Sequence, residues 1–299
     1  METTAETRRG APRVRVGCCG WSYPEWVGPF YRSSERMFTQ YARVFDTAEI
    51  DSSFYRIPER KTMEGLARQA PRDFLFTVKV PQALTHEARL RDTAEARTAL
   101  DAYLHAIEPL RSSHRLRLVL VQLPPSFGFE ERGPLERFLR ELRDRGVPSA
   151  TEFRHAGWVA PEHLPDSLAL LRGAGSSYTI VDEPLLPPDT HTTNGTAYVR
   201  LHGRNPALWY DYDYSPSELA AWKGKVAGLV RDGEEVIVVF NNHPHGNAPR
   251  NAIAFRELIG GRAPAGSPDL GSFGPGADPA ARNAYGAGPS PAPDREGSP

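Results

Sequence analysis

Eight short runs rich in β-branched and aromatic residues recur along this chain, and stretches of helical pattern separate most of them. The runs cover 14–20, 47–51, 74–80, 116–122, 150–154, 178–182, 196–202 and 236–240. Their composition and their flanking Gly, Pro, Asn and Asp residues read as strands. The connections carry helix starts and stops. Ser33 and Ser34 are placed to cap a segment reaching Val44, and Pro58 opens one reaching Gln69. A long helix is expected over 92–110. Another over 135–145 follows Pro134 and is closed by Gly146. Ser215 and Pro216 open a helix through Leu229 with Gly233 beyond its end, and 251–259 is the last.

Repeated strand–helix units imply parallel strands joined by crossover helices, because a tight turn cannot join a parallel pair. Eight units in roughly 250 residues is the size of a (β/α)8 TIM-like barrel of the α/β class. A doubly wound open sheet is the alternative. One unit is irregular. Between Asp182 and Thr196 lie Pro184, Pro187 and Pro188, which predict a long irregular loop in place of the sixth helix.

The barrel is expected over 14–260. The stretch 261–299 is dominated by Gly, Pro, Ala and Ser and has too few large apolar residues to offset its ordering entropy, so it is read as a disordered tail. Residues 1–13 are read as a flexible start. They carry no apolar signal region, so the chain is expected in the cytoplasm. No apolar run approaches the ~20 residues of a membrane helix. Lys and Arg total 36 against 37 Asp and Glu, so no global charge drives the chain onto nucleic acid or an anionic membrane. The two cysteines, Cys18 and Cys19, are adjacent. Neighbouring cysteines strain a disulfide, and two cannot frame a thiolate zinc site. Two reduced thiols at a strand end are expected, with a catalytic thiol the weaker alternative.

Charged and amide side chains gather where the strand runs end: Glu49 and Asp51, Thr77 and Lys79, Gln122, Glu152 and Arg154, Asp182, Arg200 and His202, Asn241 and Asn242. Strand residues two apart share a face, so each such pair points together while Ile50, Val78, Phe153 and Leu201 face the helices. The polar set is then expected to face the barrel axis at the carboxyl ends of the strands, where barrel active sites sit. Charge there is costly unless paired. The cluster is therefore either an ion-pair network that closes the barrel top or a functional cleft. The cleft is the favoured reading.

In that cleft Glu49, Glu152, Asp182 and His202 are the candidate catalytic residues, as acid, base or assisting groups. Lys79, His86, Gln122, Arg154, Arg200, Arg204, Asn241 and Asn242 are candidate substrate-binding residues, the cations balancing a negative substrate. Segments 202–205 and 241–248 follow the seventh and eighth strands, and barrels often bind phosphate there with a helix amino terminus. Loop aromatics, Trp21 and Tyr55 among them, are suited to stack on a sugar or base. No fixed-spacing metal motif is present, although a divalent metal held by one ligand per strand stays open. No dinucleotide-binding glycine motif follows a strand, and no cofactor is predicted.

These segments resemble the YecE-like TIM-barrel family, a domain of unknown function (family 72). The resemblance is carried by GCCGWSYPEW over 17–26, FDTAEIDSSFYR over 45–56, FTVK over 76–79, Thr85 with His86 and QLPPS over 122–126. It continues in EFRH over 152–155 with Trp158, VRLHG over 199–203, and Tyr214 and Ser215 with Glu218 and Leu219. The last segment is FNN over 240–242 through Asn251 and Ala252. Asp51 stands where the family usually has Asn, which adds negative charge at the site, and Cys18–Cys19 stand where small residues are usual. The resemblance implies a barrel. The implied fold is similar to that of barrels acting on sugars and on nucleic-acid phosphodiesters, an analogy of fold. The expected function is an enzyme (hydrolase, lyase or isomerase) acting on a phosphorylated or otherwise anionic, sugar- or nucleotide-like small molecule at the C-terminal barrel face. The alternative is a module that binds a nucleic-acid fragment without chemistry. The helical segment 130–145 is rich in Arg, but Glu and Asp match it, so it forms no basic stripe.

Overall fold

A computed structural model describes residues 14–260 apart from Gly233. The reading of 1–13 as flexible, of 261–299 as a disordered tail and of Gly233 as a helix stop all lie outside the described residues. Eight parallel strands close into a barrel in chain order: β1 (Val14–Cys19), β2 (Thr47–Ile50), β3 (Leu75–Lys79), β4 (Leu116–Gln122), β5 (Ser149–Glu152), β6 (Ser176–Asp182), β7 (Thr196–Leu201) and β8 (Glu235–Phe240). Strand β8 pairs with β1 through Val14↔Val236 to Cys18↔Phe240, which removes every sheet edge. The helices are α1 (Met37–Tyr41), α2 (Arg60–Gln69), α3 (Ala94–Ser112), α4 (Arg132–Asp144), α5 (Leu164–Ala174), α6 (Pro216–Arg231) and α7 (Asn247–Leu258).

Alternation along the strands separates two cores. Outward residues such as Val16, Ile50, Val78, Phe153, Leu201 and Val238 join the layer under the helices. Inward residues Cys19, Leu118, Leu120, Ala150, Tyr198, Ile237 and Val239 fill the barrel itself. At the amino-terminal end Glu235 accepts from Arg117 (Nε–Oε2 3.0 Å) and lies 3.7 Å from Arg15, which also reaches Asp46 and the Asp73 carbonyl. That end is sealed by ion pairs, and the opposite end carries the candidate site.

The helix ends follow local chemistry, with departures from the sequence reading. Ser215 and Glu218 form a reciprocal capping box at the start of α6, and the helix runs two residues past Leu229. Gly146 takes the left-handed conformation (φ 67°) just past α4. Pro134 lies inside the first turn of α4, where its missing N–H costs nothing, rather than before the helix. Ser33 and Ser34 do not cap α1. Arg36 precedes it in the left-handed region, and Gln40 reaches back to the carbonyls of Ser33 and Glu35. Helix α7 starts at Asn247, earlier than expected. Helix α5 was not read from the sequence, although Pro165 sits in its first turn and Gly175 (φ 71°) ends it. Between β6 and β7 no helix forms. The Thr193 hydroxyl accepts from the Tyr178 N–H and donates to the Ser176 carbonyl, and Lys225 donates to the Pro188 carbonyl.

The Tyr41 hydroxyl is inserted between β1 and β2, accepting from the Cys18 N–H (2.7 Å) and donating to the Thr47 carbonyl (2.9 Å). Both backbone groups are buried beside it. Tyr41→Phe leaves them unsatisfied, and the expected loss is about 2–4 kcal/mol of unfolding free energy. Urea denaturation of the two proteins measures it, and equal midpoints would show that the bridge carries no stability.

Candidate functional site

Strands β2, β5 and β7 each deliver one charge to the barrel axis. Arg200 on β7 is 2% exposed and reaches across the barrel. Its Nε and one terminal nitrogen donate to the two oxygens of Glu49 (3.0 and 2.7 Å), and the other terminal nitrogen donates to Glu152 (2.5 Å). The Tyr198 hydroxyl donates to the same Glu49 carboxylate. Arg154, just past β5, donates to Glu152 from Nε (2.6 Å) and contacts Glu183, just past the neighbouring β6. Burial alone would raise the Glu152 carboxyl, but Arg154 and Arg200 together hold it well below the usual carboxylate range.

His202 sits between the two guanidiniums. Its Nε2 lies 3.1 Å from an Arg154 nitrogen and 3.3 Å from an Arg200 nitrogen. Guanidinium groups only donate, so Nε2 accepts and Nδ1 carries the proton. Nδ1 lies 2.9 Å from the Asn241 amide, whose oxygen is therefore assigned to face it. Burial and the two neighbouring cations push the imidazole down to about 3. His202 is thus a neutral, fixed acceptor at neutral pH rather than the proton carrier the sequence suggested.

Lys79 ends β3 and is half-buried at the mouth. Its Nζ lies 3.8 Å from the centroid of the Phe54 ring. Both neighbouring arginines are saturated by carboxylates. Among the described residues, Lys79 has no carboxylate oxygen within 4 Å. Burial and the Arg200 charge push its ammonium down to about 8, against the pull of Glu49 and Glu152. Asp51, just past β2, feels the Lys79 charge. Burial and Glu49 raise the Asp51 carboxyl, while Lys79 and Tyr23 oppose that. The Tyr23 hydroxyl contacts both the Cys19 carbonyl (3.0 Å) and the Asp51 carboxyl (3.2 Å). One hydroxyl proton is therefore shared between these two acceptors.

The structure brings Glu49, Lys79, Glu152, Arg154, Arg200, His202 and Asn241 together and sets others apart. Asp182 is turned outward behind the sheet, accepting from Trp222 Nε1 (2.8 Å) and Arg204 Nε (2.8 Å). Strand alternation accounts for this, since Asp182 pairs in register with outward Leu201. Arg204 is spent there too, with Glu218 as its second partner. Asn242 also faces outward, tying the end of β8 to the Tyr212 carbonyl and Asn251. Trp21 packs on Phe38, Tyr41 and Phe76 in the outer layer. Gln122 ends β4 in register with Glu152, half-buried at the mouth. His86 packs edge-on against Phe54, and Tyr55, 57% exposed, stands at the rim.

Two expectations change more deeply. The amino terminus of α7 is not an open anion site. Pro29 lies 3.0 Å from where a side chain on Gly246 would begin, Trp26 donates to the His243 carbonyl, and Asn247 and Ala248 are buried. Arg200, committed to two carboxylates, is a keystone of the barrel rather than a grip for substrate. Glu183 is the residue missed. It is 5% exposed, and one carboxyl oxygen has no partner. Burial, with Glu152 adding to it, raises the carboxyl to about 7 and outweighs the contact with Arg154. The signal was parity: Glu183 continues the inward alternation of Thr179 and Val181. Cys18 and Cys19 are free and fully buried, and burial raises both thiols, so neither is an activated nucleophile. Among the described residues no group of three or more His, Cys, Asp or Glu side chains is placed to hold a metal ion. No described helix is long and apolar enough to cross a membrane.

Residues 15–270 match the family described as "Protein of unknown function DUF72". The chain belongs to this family. It is 27% identical over 268 residues to the UPF0759 protein YunF of Bacillus subtilis, covering 82% of this chain and 94% of that protein. It is 31% identical over 129 residues to the UPF0759 protein YecE of Escherichia coli, covering 43% and 44%. A DUF72 family protein of Thermotoga maritima has a solved structure that superposes with a TM-score of 0.72 at 33% identity, over 83% of this chain and 99% of that one. One from Enterococcus faecalis gives 0.72 at 26%, over 83% and 98%. The barrel of this DUF72 chain is therefore shared across relatives that differ at most positions.

Arg200→Ala strips the cation from two buried carboxylates, and the expected loss is about 3–5 kcal/mol, read from denaturant unfolding. A loss under about 1 kcal/mol would remove its keystone role. Glu183 holds its proton in the fold at pH values where the unfolded chain releases it. Its contribution therefore falls as pH rises from the ordinary carboxyl value towards about 7. Glu183→Gln is expected to gain stability relative to the native chain at pH 8 compared with pH 5. A difference that does not change with pH would contradict the assignment.

Proposed function

We propose that this DUF72 protein is an enzyme acting on a small anionic molecule, a phosphorylated or carboxylated sugar-like compound, at the C-terminal mouth of the barrel. The observation that carries this reading is Lys79, a mouth cation without a carboxylate partner beside two arginines whose partners are complete. A substrate anion supplies that missing charge. Asn241, Gln122 and the rim aromatic Tyr55, at or past the ends of β8, β4 and β2, are the polar and stacking groups assigned to the rest of the substrate. Opposed environments are the usual mark of acid–base sites. Here the cluster keeps Glu152 ionised and His202 neutral, while Lys79 titrates at about 8 and Asp51 and Glu183 hold protons more tightly than free carboxyls. Glu49 and Glu152 position the arginines, and proton transfer falls to Lys79 and Asp51. Hydrolysis, elimination and isomerisation all need such a pair.

Nothing favours the nucleic-acid reading to the same degree. Towards the end of α4 exposed arginines pair with acids: Arg140 with Glu136, Arg143 with Asp144, and Arg145, just past the helix, with Asp101 and Glu141.

Calorimetry with inorganic phosphate and ribose 5-phosphate, followed by NMR of phosphorylated sugars and 2-oxoacids incubated with the protein, tests the proposal. Binding is expected, weakened about tenfold or more in Lys79→Met, which corresponds to the loss of a charge-assisted contact. Turnover of at least one compound is expected to vanish in the same variant. Absence of binding and turnover across the set, or a variant that behaves like the native chain, would sink it.

A further inference from the structure

We propose that Lys79 is a nucleophilic amine that forms a covalent imine with an aldehyde or ketone substrate carrying an anionic group. The inference rests on the reading of the mouth as an anion site and names the reacting group of that substrate.

The placement argues for it. Lys79 projects from the carboxyl end of β3, on the same face as Thr77. Its Nζ lies over the apolar face of Phe54, and among the described residues no carboxylate oxygen lies within 4 Å of it. An ammonium so placed has a ring face beside it, on a residue that is half-buried. Burial, with the Arg200 charge added to it, favours the neutral amine over the ammonium and outweighs the opposing pull of Glu49 and Glu152. An apolar wall beside neighbouring cations is the environment that makes a lysine nucleophilic near neutral pH. The same pocket offers no competing nucleophile of the thiol type, since Cys18 and Cys19 are sealed in the two cores. Lys79 therefore differs from Lys61 and Lys223, which are exposed, and from Lys225, which donates to the Pro188 carbonyl beside Trp222.

The step balances. The free amine attacks the carbonyl carbon, a C–N bond forms, and the carbonyl electron pair moves to oxygen, which takes a proton. Nitrogen releases one proton, the carbinolamine hydroxyl takes a second and leaves as water, and nitrogen keeps one hydrogen in the iminium. In total an ammonium and a carbonyl compound give an iminium and one water. Asp51, hydrogen-bonded to Tyr23 and electrostatically coupled to Lys79, is the carboxyl assigned to relay these protons through water. The cationic charge survives on the iminium, so the substrate anion remains balanced throughout.

The full chain is incubated separately with pyruvate, glyoxylate and dihydroxyacetone phosphate, and cyanoborohydride reduces any iminium to a stable secondary amine. Peptide mapping by mass spectrometry locates the adduct, and Lys61 and Lys223 report the background. Modification of Lys79 is expected to exceed theirs by about tenfold or more at pH 7 with at least one compound, because a lower ammonium pKa leaves more free amine. Lys79→Arg keeps a cation but cannot form an imine. It is expected to give no adduct at position 79, while labelling of Lys61 and Lys223 stays at the native background. Phosphate binding in the native chain with Lys79 labelled no faster than Lys61 would overturn the imine and leave the anion site standing. Loss of phosphate binding as well would overturn both.

Discussion

Arg200 is a guanidinium enclosed inside a parallel barrel, and removing such a charge from water is tolerated only where its donors are met. Glu49 and Glu152 meet them from β2 and β5, so three strands spread around the cylinder are held at one level by one side chain. Neither carboxylate is exposed, and Tyr198 adds a donor to Glu49. The pairing sets the height of the polar layer above the apolar filling of Leu118, Leu120, Ile237 and Val239. It also fixes what remains available. Each acid that holds Arg200 or Arg154 is committed, His202 is clamped as an acceptor by the same two arginines, and the groups still able to change charge near neutrality stand at the edge of the network.

The barrel was legible because its signals are local. Each strand run ends in polar residues and its helix is marked by Pro, Ser or Gly, as with Ser215 and Pro216 before α6 and Gly146 after α4. The helix-free connection between β6 and β7 followed from Pro184, Pro187 and Pro188. Helix α5 escaped notice because its start has Pro165 but no side-chain cap, so the strand-like residues around it dominated the reading. Alternation correctly placed Glu49, Lys79, Glu152, Arg154, Arg200 and His202 on the axis. It would also have placed Asp182 outside and Glu183 inside, had β6 been read from Thr179 and Val181 rather than from its last charged residue. Partnership was beyond the sequence. That Arg200 is saturated while Lys79 is not depends on distances across the barrel between residues as far apart as 49 and 200.

The route by which this barrel can meet an anion differs from the common one. In many barrels phosphate is gripped by backbone N–H groups at a helix start after the seventh and eighth strands. Here the loop following β1 occupies that position. Trp26 hydrogen-bonds the His243 carbonyl, Tyr23 stacks on His243 with centroids 4.8 Å apart, and Tyr210 stacks on its other neighbour side at 5.9 Å. Pro29 closes over Gly246. The aromatic cover therefore removes the helix dipole as a binding element and leaves side-chain charge to do that work. On the opposite side of the mouth Phe54 does not cover the cation but lies beneath it, so Lys79 is the point where this wall of the barrel offers positive charge to the outside. An anion that met this wall would therefore meet side-chain charge rather than a helix terminus.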